Sequence, residues 1–279
     1  MHLVTIYVTT KNRMTFLRRC LESLFNQTYS NIEIIVVDDG SNDGTHEYLK
    51  ELEDNKKLIA ILNKKSLGAC AARNLAIERS KGHYITGIDD DDYMEPWRIQ
   101  SFLDYTNALE LKSESVLGLF DDTVLKFKSK KEVLVRRDSV TYSDLRKENL
   151  IGNQIFVKTS SLRGVGFDPD MPALQDWDTW LRLSKNSNGK FFNIHKASYI
   201  QDVGHDAGRI TLKRKKILEE AFSKLFNKLG EMTLQERVSL ILTKYSYPQM
   251  RLRFSEIYCL LITGHYRKGL SALKKKFIN

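Results

Sequence analysis

The 279-residue chain reads as an α/β protein whose first part winds helices around a mostly parallel sheet. Three observations predict this. Short apolar runs alternate with amphipathic stretches through the first hundred residues, acid-rich turns sit directly behind two of those runs, and no hydrophobic window is long enough to span a membrane. With 42% hydrophobic and 28% charged residues, the chain has the balance of a folded globular protein, so disorder is not the default.

The first run, His2 to Thr9, lacks a preceding basic region and is too short for a signal-peptide core, so it is read as a buried strand. A helix is expected from Met14 to Asn26, where Phe16, Leu17, Cys20, Leu21, Leu24 and Phe25 recur at helical spacing. Strands are expected at Ile32 to Val37, Leu58 to Leu62 and His83 to Ile88, with helices at Gly44 to Glu53 and Leu67 to Ser80 between them. Helical crossovers make such strands parallel, and ligands then collect at the C-terminal strand ends. After a helix near Trp97 to Leu111 the pattern changes. Ser115 to Phe120, Thr123 to Phe127 and Glu132 to Arg136 predict short strands of a mixed or antiparallel region, followed by a helix at Leu174 to Lys185. From Thr211 onward helical patterning returns, so residues 1–210 are expected to form one α/β domain and 211–279 a helical extension.

Charge divides along the same line. Residues 1–208 hold 28 Lys and Arg against 30 Asp and Glu, whereas residues 209–279 hold 16 against 5. A basic tail implies an anionic partner surface, lipid headgroups or nucleic acid. Lys213 to Lys216 and Lys274 to Lys276 flank helical stretches with Leu, Ile and Phe on their other faces, the pattern of a helix lying in a membrane interface. The alternative is a packed extension with solvated lysines. Three widely spaced cysteines without a CxxC pattern indicate neither a zinc site nor a disulfide framework and fit a reducing, cytoplasmic location.

Four consecutive acids, Asp89 to Asp92, follow the strand that ends at Ile88. Side by side they repel one another, so the cluster costs stability unless something positive sits among them. One reading is a solvated acidic turn; the other is a hard divalent cation, Mg²⁺ or Mn²⁺, held by two of the acids. A second acidic tip lies in Val36 to Thr45, "VVDDGSNDGT". Ser41, Asn42 or Asp43 can cap the next helix, and Gly40 and Gly44 permit a tight turn. That leaves the pair Asp38 and Asp39 to accept hydrogen bonds from a nucleobase or ribose. The chain has neither a GxGxxG nor a GxxxxGK[ST] element, which argues against a dinucleotide fingerprint and a P-loop.

"VTTKNR" at Val8 to Arg13, "VVDDGSNDGT", "GACAARNLAI" at Gly68 to Ile77, "IDDDDYMEP" at Ile88 to Pro96 and "LQDWDTWLRL" at Leu174 to Leu183 occur in that order. Over roughly residues 1 to 210 the chain resembles a family 2 inverting glycosyltransferase of the GT-A fold, of the kind that builds bacterial surface polysaccharides. The resemblance implies that Thr9, Asp39 and Arg73 contact the nucleotide, with Asp39 accepting from the uracil ring. Asp89 and Asp91 match the DxD acids: Asp91 would ligate the metal and Asp89 would contact ribose or a metal-bound water, with Asp90 counted among the nucleotide-sugar contacts. Asp92 would share either role.

Asp176 matches the catalytic acid position, which usually follows Glu where this chain has Gln175. An inverting single displacement needs a base for the acceptor hydroxyl, and a carboxylate suits it. Asp178 competes for that role, and a plain helix cap is the alternative for Asp176. His205 sits where some members carry a histidine at the metal or diphosphate site, and Arg209 would then neutralise phosphate. Trp177 and Trp180 would either face the acceptor or pack in the core.

The resemblance therefore implies a metal-dependent enzyme using Mn²⁺ or Mg²⁺. It would move a hexose from a UDP-sugar to a polyprenyl-diphosphate-linked saccharide, making a β-linkage in O-antigen or capsule synthesis at the cytoplasmic face of the inner membrane. One alternative is a sugar nucleotidyltransferase, although "VTTKNRMTF" lacks the Gly-rich loop expected there. The other is a basic nucleic-acid-binding protein, against which the acidic ligand edge of the sheet argues.

Overall fold

The computed structural model describes residues 1–110, 115–205 and 215–277. The chain forms two compact units, Met1–Tyr142 with Leu150–Pro169 and Gln175–Asp206, and Ser143–Asn149 with Asp170–Leu174 and Ala207–Asn279.

The first unit begins with β1 (Val4–Thr10), α1 (Met14–Phe25), β2 (Ile32–Asp38), α2 (Thr45–Asp54), β3 (Ile59–Leu62), α3 (Ala69–Arg79) and β4 (Tyr84–Asp89) in strict alternation. Val4, Ile6 and Val8 of β1 are fully buried, and α1 covers that core with Leu17, Cys20, Leu21 and Leu24, four apolar residues on one helical face. α3 instead buries the small residues Cys70, Ala72 and Ala76.

β1 pairs in parallel with β2 and β4, and β2 with β3, giving the order β3-β2-β1-β4. The chain therefore moves outward from β1 and then returns to its other side. That reversal opens a crevice at the C-terminal ends of β1 and β4, where Thr9 stands in register with Asp89.

The chain continues through β5 (Tyr93–Met94), α4 (Arg98–Glu110), β6 (Val116–Phe120), β7 (Thr123–Lys126), β8 (Lys131–Leu134), β9 (Ser139–Val140), α5 (Tyr142–Leu145), β10 (Phe156–Lys158), α6 (Thr159–Val165), α7 (Gln175–Ser184), β11 (Lys190–Asn193) and β12 (Tyr199–Asp202). β10 runs antiparallel between β4 and β6, and β11 and β9 complete an eight-stranded sheet. The sheet is thus parallel up to β4 and mixed beyond it. A smaller sheet, β5-β12-β7-β8, joins the acid-bearing turn after β4 to the end of β12.

The second unit is helical, with α8 (Lys215–Leu229), α9 (Leu234–Ser246), α10 (Phe254–Ile262) and α11 (Tyr266–Phe277). α9 starts at a capping box in which Thr233 and Glu236 satisfy each other's backbone N–H groups. Val238, Ile241, Leu252, Ile257, Leu260 and Ala272 make a small core. No helix among the described residues is long and apolar enough to cross a membrane.

Candidate active site

The two loops behind β1 and β2 are tied to each other before any ligand is considered. Asn12, at φ 52°, receives the Asn42 N–H on its Oδ1 at 2.7 Å, and its own N–H donates to Ser41 Oγ at 2.8 Å. Asp43 accepts from the Met14 N–H at 3.1 Å and from the Thr45 hydroxyl at 2.6 Å, so one carboxylate serves the starts of both α1 and α2. Gly40 is required by its φ of 79° and because a Cβ there would sit 3.1 Å from the Lys65 and Ser66 backbone.

Asp39 is buried, and both of its oxygens are in use. Oδ1 accepts from Asn63 Nδ2 at 3.2 Å and the Leu67 N–H at 2.7 Å; Oδ2 accepts from Ser66 Oγ at 2.6 Å and the Gly68 N–H at 3.0 Å. Burial works to raise its pKa, and these four donors outweigh it and hold the carboxyl below its ordinary value. Asp39 therefore shapes the loop from Asn63 to Gly68, and a uracil N–H could join it only by displacing one of those donors. The adjacent Asp38 turns inward and accepts from the Ser41 N–H at 2.9 Å.

The four acids behind β4 occupy four different environments. Asp90 lies inside, with Thr10 Oγ1 at 2.7 Å on one oxygen and Arg13 Nη1 at 2.8 Å on the other. Burial lifts its carboxyl to about 6 despite Arg13. Asp92 is only 2% exposed and accepts from the Tyr199 hydroxyl at 2.6 Å and the Asp202 N–H at 2.9 Å, tying the turn to β12. Burial, and then the charge of Asp89, push its pKa well up. Asp90 and Asp92 thus face inward and leave Asp89 and Asp91, with side chains 32% and 14% exposed, as the accessible alternate pair.

Asp91 Oδ2 lies 3.0 Å from Arg13 Nη1 and 3.4 Å from His205 Nε2. Burial, reinforced by Asp89, raises the Asp91 pKa. His205 packs on the Phe16 ring at a centroid distance of 4.4 Å, and both of its ring nitrogens are buried with no hydrogen-bond partner among the described residues. Arg19 anchors the whole turn by donating to the Asp91 carbonyl and, at 2.5 Å, to Asp202. No group of three His, Cys, Asp or Glu side chains forms a ready-made metal cage among the described residues. The donor set nevertheless fits a small divalent ion: one carboxylate and one unsatisfied imidazole nitrogen stand side by side, and such ions take their remaining ligands from water and phosphate oxygens.

Asp89 is held from three sides. Arg73 Nη2 and Gln154 Nε2 each approach Oδ1 at 3.3 Å, and Asn153 Nδ2 donates to Oδ2 at 2.9 Å. Arg73 is buried rather than a surface helix residue; it also donates to Gln175 Oε1 at 2.9 Å and lies over the Phe167 ring. Gln175, where the resemblance calls for Glu, therefore joins α7 through Arg73 to the acid turn. Asn153 and Gln154 escaped the sequence reading because no motif marks them. Their loop is held by Trp180, whose Nε1 donates to the Gly152 carbonyl at 2.9 Å.

Asp176 lies in the first turn of α7, partly exposed, close enough to Arg73 and Asp89 to feel both charges. Burial raises its pKa to about 7; Arg73 opposes the rise and Asp89 adds to it. Asp178, two residues on, is 1% exposed and accepts from Arg182 Nε at 2.8 Å. Trp177 and Trp180 are buried, so neither offers an aromatic face to an acceptor. Thr9 stands half-buried at the crevice. Arg209 lies outside the described residues.

The crevice at the reversal of strand order, the alternate acids behind β4 and the protonatable Asp176 are arranged as in the GT-A fold of glycosyltransferases. The chain belongs to glycosyl transferase family 2, whose model matches residues 5–162. It is 34% identical over 219 residues to an Escherichia coli K12 relative named for colanic acid biosynthesis, WcaA, covering 77% of each chain. It is 35% identical over 216 residues to the Escherichia coli UDP-Glc:alpha-D-GlcNAc-diphosphoundecaprenol beta-1,3-glucosyltransferase WfaP, covering 73% of this chain and 79% of that one. Against longer chondroitin and hyaluronan synthases it spans only 20% to 28% of their length. Among solved structures, Staphylococcus aureus TarS 1–349 in complex with UDP-GlcNAc superposes with a TM-score of 0.66 at 16% identity, over 92% of this chain and 79% of that one.

Proposed function

We propose that the protein transfers a hexose from a UDP-sugar to a lipid-linked saccharide with inversion, forming a β-linkage in bacterial surface-polysaccharide synthesis. The names of its relatives support the donor and acceptor classes, since WfaP is named for transfer from UDP-Glc to a diphosphoundecaprenol-linked sugar.

In the reaction, an acceptor hydroxyl oxygen attacks the anomeric carbon from the face opposite the diphosphate. The bond from that carbon to the β-phosphate oxygen breaks, its electron pair leaves on UDP, and the hydroxyl proton passes to the Asp176 carboxylate. Asp176 is suited to this because burial lifts its carboxyl to about 7, and the observation that carries the proposal is the Arg73 bridge from Gln175 to Asp89, which sets Asp176 beside the acid turn. Arg73 spans Gln175 and Asp89, so it fixes the base relative to the nucleotide end of the crevice. Asp89 would accept from the ribose and Thr9 would line the nucleotide. Asp39 would shape the base pocket through the Asn63 to Gly68 loop. Asp91 and His205 would hold Mn²⁺ or Mg²⁺, which when bound neutralises the departing diphosphate.

The test is UDP release from a panel of UDP-sugars with Mn²⁺, with EDTA and with Asp91→Asn. Slow hydrolysis of one UDP-hexose that requires both metal and Asp91 is the expected result. Binding or turnover of GDP- or dTDP-sugars alone would overturn the donor class.

A further inference from the structure

We infer that one face of the α10 and α11 hairpin docks on an anionic lipid bilayer. The inference deepens the lipid-linked acceptor reading and rests on it only for its purpose; the surface itself is argued from the second unit.

The turn from Thr263 to His265 folds α11 back on α10, and the helices meet at Gly269, where a Cβ would lie 2.8 Å from Leu261 Cδ2. Ile257, Leu260 and Ala272 point into the unit's small core. Tyr258 and Ile262 on α10, and Tyr266 and Leu270 on α11, are each more than half exposed. Each pair is spaced four apart, so it forms a stripe on its helix. On α10 the stripe lies on the far side of Leu261 from the buried Ile257 and Leu260. On α11 it lies on the far side of Gly269 from the buried Ala272. Because the two helices run in opposite directions, these two rotations bring both stripes to the same outer face.

Charge identifies the occupant. From Arg237 to Asn279 the chain carries nine Lys and Arg and a single acid, Glu256, and that acid is already tied to Lys244 at 2.7 Å. Arg267 and Lys274 are exposed on α11 beside its stripe. A second copy packed on this face would bring those cations against their own copies, which is repulsive. A bilayer with anionic headgroups accepts both the apolar residues and the cations, and tyrosine, with its apolar ring and polar tip, is suited to the headgroup level. α8, one of the stretches whose pattern suggested a membrane helix, has Leu218, Ala221, Phe222 and Leu225 buried and offers no such face.

The experiment is flotation of the full chain with vesicles of phosphatidylcholine alone or of phosphatidylcholine mixed with phosphatidylglycerol, for the native protein, Ile262→Ser with Leu270→Ser, and Arg267→Gln with Lys274→Gln. Retention by the anionic vesicles is expected, reduced about ten-fold by losing the apolar pair and by a similar factor by losing the two cations. Equal retention by both vesicle types, no retention, or retention untouched by the apolar pair overturns the docking surface. So does a change in oligomeric state in the apolar variant, which would assign the face to a second copy. Both variants are expected to keep the native melting temperature and UDP release in solution. Loss of UDP release in the native protein with vesicle binding intact would therefore sink the reaction while leaving the surface standing.

Discussion

The Arg182 guanidinium donates from Nε to the Asp178 carboxylate at 2.8 Å while its Nη atoms hold the Val165 and Gly166 carbonyls, each at 2.8 Å. One cation thereby links α7 to the end of α6, and Asp178 is its buried counter-ion. Removing that charge leaves Arg182 facing neutral acceptors, the two carbonyls and the Thr179 hydroxyl at 3.3 Å. We expect Asp178→Asn to lose about 2 to 4 kcal/mol of stability, read as a fall in urea midpoint, while the folded fraction keeps its turnover. Asp176→Asn should do the reverse and cost on the order of 10² to 10⁴ in kcat with the fold intact. The two substitutions, two residues apart, separate the base from the brace.

The carboxyl of Asp176 gives a second handle, because burial lifts it to about 7. As a base it works only when ionised, so kcat should rise through about pH 7 with the slope of a single proton and level off above it. Stability should move the other way. A carboxyl raised above its unfolded value near 3.9 costs the fold nothing when protonated, and the cost grows from that pH until it is complete above about pH 7. Asp176→Asn should therefore raise the melting temperature at pH 8, by the equivalent of up to about 4 kcal/mol, and the gain should vanish near pH 4. A gain independent of pH would mean that Asp176 is an ordinary surface acid.

Asn153 was invisible in the sequence, yet its Nδ2 donates to Asp89 Oδ2 at 2.9 Å and stands 3.1 Å from the Tyr199 hydroxyl. Both Asp89 oxygens accept hydrogen bonds, and if the carboxylate must point at the donor, Asn153 is the residue that fixes Oδ2. Asn153→Ala should weaken donor binding roughly ten-fold, the equivalent of one hydrogen bond to a charged group, and should appear in KM for the UDP-sugar more than in kcat. An Asn153→Asp variant, which places a like charge against Asp89, should be worse than alanine.

What the sequence made legible follows from length and period. α1 and β1, β2 and β4 carry long apolar patterns and could be read directly, and so could the acid run as a group, because four adjacent like charges cost stability unless a cation sits among them. β10, β11 and β12 are three or four residues each, too short to show a period, and β10 follows directly on the loop of Asn153 and Gln154 that reaches the tip of β4. The acids themselves were legible only as a group. Which of them faces outward depends on Thr10, Arg13 and Tyr199, partners distant in sequence that no local pattern reveals. Trp177 and Trp180 show the same limit: helical spacing fixes which residues share a face, and only the packing around α7 turns that face inward.

Gly87 is where β4 makes room for the site. A Cβ there would fall 2.4 Å from Gln154 Oε1 and 2.4 Å from the Tyr7 ring, both nearly fully buried. Tyr7 cannot swing away, since β1 is hydrogen-bonded on both sides by β2 and β4. Gln154 can yield only by releasing its amide from Asp89. Gly87→Ala should therefore destabilise by about 1 to 3 kcal/mol through overpacking and, in the molecules that fold, raise KM for the donor, because the relief comes at the expense of Asp89. Gln154→Ala vacates the colliding atom. Because the Tyr7 ring still crowds the new methyl group, the double variant should recover only part of the lost stability in an equilibrium urea titration, without recovering donor affinity. If stability and affinity return together, Gln154 is packing alone and has no part in aiming Asp89.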